Sequence, residues 1–403
     1  MTKNIAKGID LLSINVEGLL FEGMWEMPKG VTLNSYIVKG EDTAIIDGFC
    51  GWDGIPETLY ALLDEVNVPL ESIKYLVINH MEPDHSGWLE DFKKIHSDFD
   101  IYCSAESAQL LKAFFDHDER VHVVKDGDEL DLGAGKKLTF YKTPNVHWPD
   151  TICCLEEETK TLFVTDLFGS FHTLEKNLRS EISDDFYKNE YEPEQLRYYA
   201  SILATFSPML KMAVEKIAKL DINMICNGHG LVWDTDVDFI MDEYRRYASY
   251  QRAKAKEKIT IIWGSMYGNT EKMVRFAEKY FEEKGVEYAS LQMPETDEGT
   301  LLQQIWESTG ILVAAPTYEY KMFPPVAAAL DECGRKRAQG KKAVYTGSFG
   351  WSGGAIKEYD EIIKRNMMNW DTLRYVEFNG RPTEETEKEL TEALDALISQ
   401  VQA

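Results

Sequence analysis

Directly after the apolar run Ile73–Ile78 the chain reads His80-Met81-Glu82-Pro83-Asp84-His85, four potential metal ligands within six residues. A fold that accommodates this segment must end a strand in a turn, stiffened by Pro83, and must bring further ligands to it from elsewhere in the chain. Residues two apart in such a turn aim to one side and the adjacent pair to the other. His80 and Glu82 can then serve one metal, Asp84 and His85 a second. Three more candidates stand at the ends of strand-like runs. They are His147 in Val146-His147-Trp148-Pro149-Asp150, Asp166 after Leu162-Phe163-Val164-Thr165, and His229 between Gly228 and Gly230. With the hexapeptide they complete two four-ligand shells if Asp166 bridges the metals. All eight histidines lie between His80 and His229. Histidine-based metal chemistry therefore belongs to the N-terminal part.

The pattern changes near residue 255. The polar, basic stretch Tyr244–Lys258 ends at the apolar run Ile259-Thr260-Ile261-Ile262-Trp263. Two domains follow from this and from the length of 403 residues: 1–254 and 255–403. Before the boundary, the short runs Ala44–Ile46, Ile73–Ile78, Leu138–Tyr141, Leu162–Val164 and Met224–Cys226 read as strands ending in polar or Gly-rich turns. Helical spacing covers Ala105–Asp116 and Pro193–Lys219. Together they suggest a sheet sandwich flanked by helices. After the boundary, Ile259–Trp263, Glu287–Leu291, Gly310–Ala315, Ala343–Thr346 and Leu373–Phe378 alternate with helical segments, and Thr383–Val401 closes the chain. Strands alternating with helices imply a doubly wound parallel sheet.

Composition narrows the function. A net charge of −26 excludes sequence-independent nucleic-acid binding and docking on anionic lipid. No signal-peptide core follows Met1–Gly8, and no stretch reaches the ~18 apolar residues of a membrane helix, so a cytoplasmic protein is expected. The cysteines are Cys50, Cys103, Cys153, Cys154, Cys226 and Cys333. None forms a C-x-x-C pair, which removes a zinc ribbon and a rubredoxin-type iron centre.

A second chemistry-bearing motif is Gly264-Ser265-Met266-Tyr267-Gly268-Asn269-Thr270, set between a strand and a helix. A phosphate monoester needs several donors in a small concave loop. The hydroxyls of Ser265 and Thr270, backbone N–H groups and the helix N-terminus supply them. The Gly-Lys-Ser/Thr ending of a nucleoside triphosphate loop is missing. Two later loops follow the third and fourth strands of this half: Ala315-Pro316-Thr317-Tyr318 and Gly347-Ser348-Phe349-Gly350-Trp351-Ser352-Gly353-Gly354. Both fall at carboxyl ends of strands, where glycines admit backbone amides to a ring and aromatics stack on it.

The pattern His80-x-Glu82-x-Asp84-His85, His147, Asp166, His229 resembles the metallo-β-lactamase-like core of the flavodiiron proteins, also called A-type flavoproteins. The phosphate loop resembles that of flavodoxins, and the resemblance spans essentially the whole chain in the family's domain order. It implies an αββα sandwich followed by a flavodoxin-like sheet. In zinc hydrolases of the first fold the second hexapeptide ligand is histidine. Glu82, a harder oxygen ligand, tilts the site toward iron or manganese. By the resemblance, His80, Glu82 and His147 hold one iron, Asp84, His85 and His229 the other, and Asp166 bridges. FMN is expected on Ser265, Met266, Tyr267, Gly268, Asn269 and Thr270, on Pro316, Thr317 and Tyr318, and on Ser348, Phe349, Gly350, Trp351, Ser352 and Gly353. FMN is favoured over FAD because the loop makes one phosphate pocket. The segment Tyr198-Tyr199-Ala200-Ser201-Ile202 resembles the family helix from which a tyrosine approaches the iron pocket; Tyr199 is taken for that position. His172 is an added candidate, as a proton donor at the pocket mouth.

The function so implied is reduction of dioxygen to water, of nitric oxide to nitrous oxide, or both, at a diiron centre fed by FMN. The expected donor is rubredoxin or another small carrier, with reduced deazaflavin as the alternative. The expected assembly is a head-to-tail homodimer or a homotetramer. Two other readings compete. A zinc hydrolase fused to a flavin domain is disfavoured by Glu82, and a pure electron carrier with a degenerate metal site by the full ligand set.

Overall fold

The computed structural model describes residues 1–49, 57–252 and 254–403; Cys50 lies outside them. Two compact units emerge. One comprises Met1–Tyr198 with Pro208–Arg245, the other Tyr199–Ser207 with Arg246–Ala403. A single cut near residue 255 therefore misses the segment 199–207.

The first unit contains two sheets. One runs in the order Thr2–Ala6, Ile9–Val16, Val31–Lys39, Thr43–Ile46, Ile73–Ile78, Asp100–Cys103, Val121–Val123. The other runs Glu129–Gly133, Lys136–Lys142, Ile152–Glu156, Thr161–Thr165, Met224–Asn227. Ile9, Val38, Ile46 and Val77 of the first sheet share one core with Leu130, Phe140, Ile152 and Phe163 of the second. Val31–Val38, Ile152–Glu156 and Thr161–Thr165 are buried along their whole length, not on alternate residues. Burial on both faces requires a helical layer outside the sheets. Helix Glu57–Glu65 packs on Ile9–Val16, and helix Ala105–Phe115 on Val121–Val123. The expected αββα sandwich is what forms. The Ala105 helix starts where Ser104 Oγ accepts from Ser107 N–H and stops where Asp116 turns left-handed.

The helical pattern over 193–219 is broken. Helix Glu192–Tyr198 gives way to a wide, five-residue turn at Tyr199–Leu203, then a tight turn at Ala204–Phe206, before helix Ser207–Ile217. A π-type turn adds a residue to the helical repeat and re-aims the side chains beyond it. The break begins where the chain passes into the second unit.

The second unit is a five-stranded sheet in the order Glu287–Gln292, Lys256–Trp263, Ser308–Ala314, Lys342–Phe349, Asp371–Asn379. Every neighbouring pair is parallel. One face of the sheet buries Ile259, Ile261, Leu312 and Val344 against Val274, Ala277 and Phe281 of helix Asn269–Lys284 and against Leu390, Leu394 and Leu397 of helix Glu384–Gln402. Strand order reverses between Lys256–Trp263 and Ser308–Ala314, which opens a crevice beyond their carboxyl ends. No helix among the described residues is long and apolar enough to cross a membrane.

Candidate functional site

Every predicted metal ligand lies just past the carboxyl end of a strand of the sandwich. Asn79 N–H donates to Asp47 Oδ1 at 2.8 Å, which fixes the exit from Ile73–Ile78. Pro83 then opens the single helical turn Pro83–Ser86, closed by His85 N–H to Glu82 O at 2.9 Å. That turn carries Asp84 and His85 away from His80 and Glu82.

Two groups of donor atoms result: His80, Glu82, His147 and Asp166, and Asp84, His85 and His229. His147 Nε2 lies 2.9 Å and His80 Nε2 3.3 Å from Glu82 Oε2. Asp166 joins the groups. Its Oδ2 is 3.3 Å from His80 Nε2 and 3.4 Å from His147 Nε2. Its Oδ1 is 3.0 Å from both His85 Nε2 and His229 Nε2. His229 Nε2 is also 3.3 Å from Asp84 Oδ2 and 3.1 Å from His85 Nε2. Gly228 permits this approach, since a methyl group there would stand 2.5 Å from His85 Cε1.

The charges in this cluster fit cations. Both oxygens of Asp84 and Oδ2 of Asp166 are buried without a hydrogen-bond partner. Buried anionic oxygens left so are strongly destabilising unless a cation meets them. Burial works to lower the pKa of His80, yet its bonds to Asp150 and Glu82 hold it up to about 10. Burial likewise opposes protonation of His85 and His147, but the carboxylates around them raise these to about 10 and about 9. A site that draws protons onto histidine Nε2 atoms draws metal ions to the same lone pairs.

In the second unit, a cavity of about 360 Å³ opens beyond the strand ends at the reversal of strand order. Its walls are Ser265, Met266, Tyr267 and Asn269 of the first loop, Pro316 to Glu319 of the second, and Ser348 to Ser352 of the third, with Gly380. Ser265 Oγ accepts from Gly268 N–H at 3.0 Å, which leaves its own proton for a ligand. Gly347 is required inside the strand Lys342–Phe349 that leads into the third loop: a methyl group there would lie 1.9 Å from Ala315 O. Tyr267 and Trp351 are 91% and 73% exposed, two aromatic side chains on the rim, with the Tyr320 ring edge-on to Trp351 at 4.7 Å. Neutral donors beside a helix N-terminus, with aromatic rings above, suit a phosphate-bearing ring ligand. Gly268, Thr270 and Gly353 stand behind the walls. Thr270 Oγ1 is engaged with Ser348 Oγ at 3.0 Å.

Residues 31–230 match the family described as ODP family beta lactamase. The anaerobic nitric oxide reductase flavorubredoxin of Pectobacterium atrosepticum is 34% identical over 361 residues, covering 88% of this chain and 68% of the relative. The chain belongs to the flavodiiron proteins. The structure of rubredoxin oxygen:oxidoreductase from Desulfovibrio gigas superposes with a TM-score of 0.91 at 26% identity, covering 100% of this chain and 99% of the other. The flavodiiron protein of Giardia intestinalis gives 0.91 at 26% identity, covering 100% and 97%. Like these relatives, this flavodiiron protein is an oxidoreductase.

Around the cluster, this flavodiiron protein departs from the sequence reading at two points. Tyr199 does not approach the pocket. Its hydroxyl bonds Ser207 Oγ at 2.8 Å and its ring packs on Tyr247 and Trp306, within the second unit. Tyr198 takes the role, donating from Oη to Asp166 Oδ1 at 3.2 Å. Neighbouring residues on a helix point about 100° apart, and the wide turn begins immediately after Tyr198. His172 also fails to join the cluster. Its Nδ1 lies 2.5 Å from Thr173 O and its ring faces Phe186 and Tyr191.

Two residues that the sequence left unassigned do adjoin the cluster. Asp150 stands 3.3 Å from His80 Nδ1 and accepts from Met81 N–H at 2.8 Å and Ser107 Oγ at 3.2 Å. It thus turns His80 Nε2 inward, the usual office of a carboxylate behind a ligand histidine. Glu22 lines a cavity of about 530 Å³ together with Leu19 to Gly23 and Glu82 to Asp84. Its Oε2 accepts from Trp25 Nε1 at 2.7 Å, while burial and the neighbouring Glu82 push its pKa up to about 6.

Proposed function

We propose that this protein reduces dioxygen to water, nitric oxide to nitrous oxide, or both, at a non-haem diiron centre that receives its electrons through FMN. The observation that carries this reading is the split of Asp166, one oxygen toward His80 and His147, the other toward His85 and His229. His80, Glu82 and His147 hold one iron, and Asp84, His85 and His229 the second. When bound, two irons would supply electrons and open positions for a diatomic gas, and FMN in the second-unit cavity would be their source of further electrons.

The remaining roles fall to the chain itself. Asp150 fixes the ring of His80, and Tyr198 fixes Asp166 by its hydrogen bond. Leu19, Leu20 and Phe21 shape the entrance beside Glu82 and Asp84 as an apolar passage suited to a small uncharged gas. Glu82 in place of a histidine favours iron over the zinc of hydrolases. The electron donor is rubredoxin or a small carrier like it, and the working form is a head-to-tail homodimer or homotetramer.

The test begins with metal and FMN content per chain after growth with iron. Two irons and one FMN are expected. Anaerobic turnover with reduced rubredoxin, each gas added in turn, then assigns the substrate. Zinc in place of iron, with hydrolysis of a thioester or lactam and no gas reduction, would sink the proposal.

A further inference from the structure

Glu377 lies on the last strand of the second unit, paired in register with Gly347 of the strand that leads into the third loop of the cavity. It forms no part of the cavity wall. Burial pushes its pKa above the usual carboxylate value, and the neighbouring Thr317 hydroxyl of the second loop works to lower it. A methyl group at Gly353 of the third loop would lie 2.7 Å from its Oε2. Its Oε1 is buried and has no hydrogen-bond partner. No lysine or arginine lines the cavity in front of it, and Glu319 is the one charged residue of the wall. One carboxylate thus touches both loops that flank the cavity, with no cation in the wall to neutralise it.

We propose that Glu377 is a positioning residue that sets the redox balance of the flavin held in this cavity, keeping a negative charge behind the ring that disfavours its reduced form. The inference rests on the reading of the cavity as the FMN site. A flavin ring that gains two electrons and one proton becomes an anion. A fixed carboxylate nearby raises the free energy of that anion and leaves the neutral oxidised ring almost untouched. Partial burial strengthens the effect, because the solvent that would screen the charge is excluded from one of its oxygens.

The experiment measures FMN affinity in both redox states, by fluorescence titration for the oxidised form and by anaerobic potentiometry for the couple. Glu377→Gln keeps the shape and removes the charge. It is expected to leave the oxidised Kd within about threefold and tighten the reduced Kd by about tenfold. That raises the two-electron potential by about 30 mV. Glu377→Asp keeps the charge and is expected to hold the ratio of the two constants within about threefold of the wild type. If Gln weakens both redox states equally, Glu377 is a strut for the loops and the proposal fails. It also fails if Asp moves the ratio as far as Gln does. Should Gln not retain FMN, Asp in a salt titration decides. A ratio within about threefold of the wild type at each ionic strength supports the charge, and one shifted about tenfold toward tighter reduced binding overturns it. A wild-type chain that takes up no FMN removes the flavin reading itself, an outcome distinct from these.

Discussion

None of the seven donor residues of the first unit is more than 8% exposed, whereas the rim of the second-unit cavity carries Tyr267 at 91% and Trp351 at 73%. The first site consists of side chains converging from four strand ends, with like charges already pressed together. The second is made largely of loop residues with exposed aromatic side chains on its rim. A buried constellation stores electrostatic strain that its ions relieve, while an open cavity stores little and gains its stability from the ligand's own contacts. The two sites should therefore fail in different ways.

The largest effect is expected from Asp166→Ala. Loss of the shared carboxylate should reduce bound metal from two ions to fewer than one per chain. Turnover should fall by about a thousandfold or more, with FMN content unchanged. Metal analysis beside flavin absorbance checks this, and retained metal would break the contrast. Gly347→Ala is the mirror image. Its methyl group against Ala315 O is expected to destabilise the second unit by about 3 kcal/mol and to abolish FMN binding while both metals stay.

The pH responses should also diverge, with opposite signs. In metal-stripped protein His80, His85 and His147 have raised pKa values, so their stabilisation is complete below the free-histidine value of about 6.5 and is lost as pH rises through 9 to 10. In the second unit, burial pushes Lys341 down to about 7. Its penalty is present below that pH and is relieved as pH rises toward the free-lysine value of about 10.4. Between pH 7 and 10 the first unit should weaken and the second strengthen, by on the order of 1 kcal/mol per pH unit at most for each titrating group, so the three histidines outweigh the single lysine. The urea concentrations at which buried Cys153 and Cys333 become reactive report the two units separately. Midpoints that move in the same direction would contradict the assignment. The smallest change is expected from Trp351→Ala, which removes one aromatic face. FMN should bind about five- to tenfold more weakly, with metal content untouched.

Much of this was legible in the sequence for a physical reason. Histidine and carboxylate are scarce at the ends of apolar strands unless something there uses them, so seven such positions stood out against their surroundings. The alternation of strands with helices after residue 255 read through for the same reason, since each element has its own period. What escaped depended on geometry that no period records. Tyr198 and Tyr199 are adjacent and chemically identical, and only the wide turn after Tyr198 decides which one faces Asp166. Glu22 sits between two strands of two residues each, too short to leave a pattern. Glu377 occupies an ordinary strand position, and the chain far from it determines which loops its carboxylate meets. His172 looked chemical because of its residue type, but its ring is occupied by Phe186.

The spread of the donor residues along the chain bears on how the protein comes to be made. His85 and His229 meet across 144 residues of sequence, and His147 and Asp166 follow separate strands between them. No early fragment can present the full set, so metal cannot nucleate folding as it does in small zinc domains. Metal bound to the full set would act as a latch, since any ion that binds the closed fold alone lowers the population of partly opened chains. A growing chain released before Met224–Asn227 joins the second sheet would expose carboxylates and histidines without the means to hold iron.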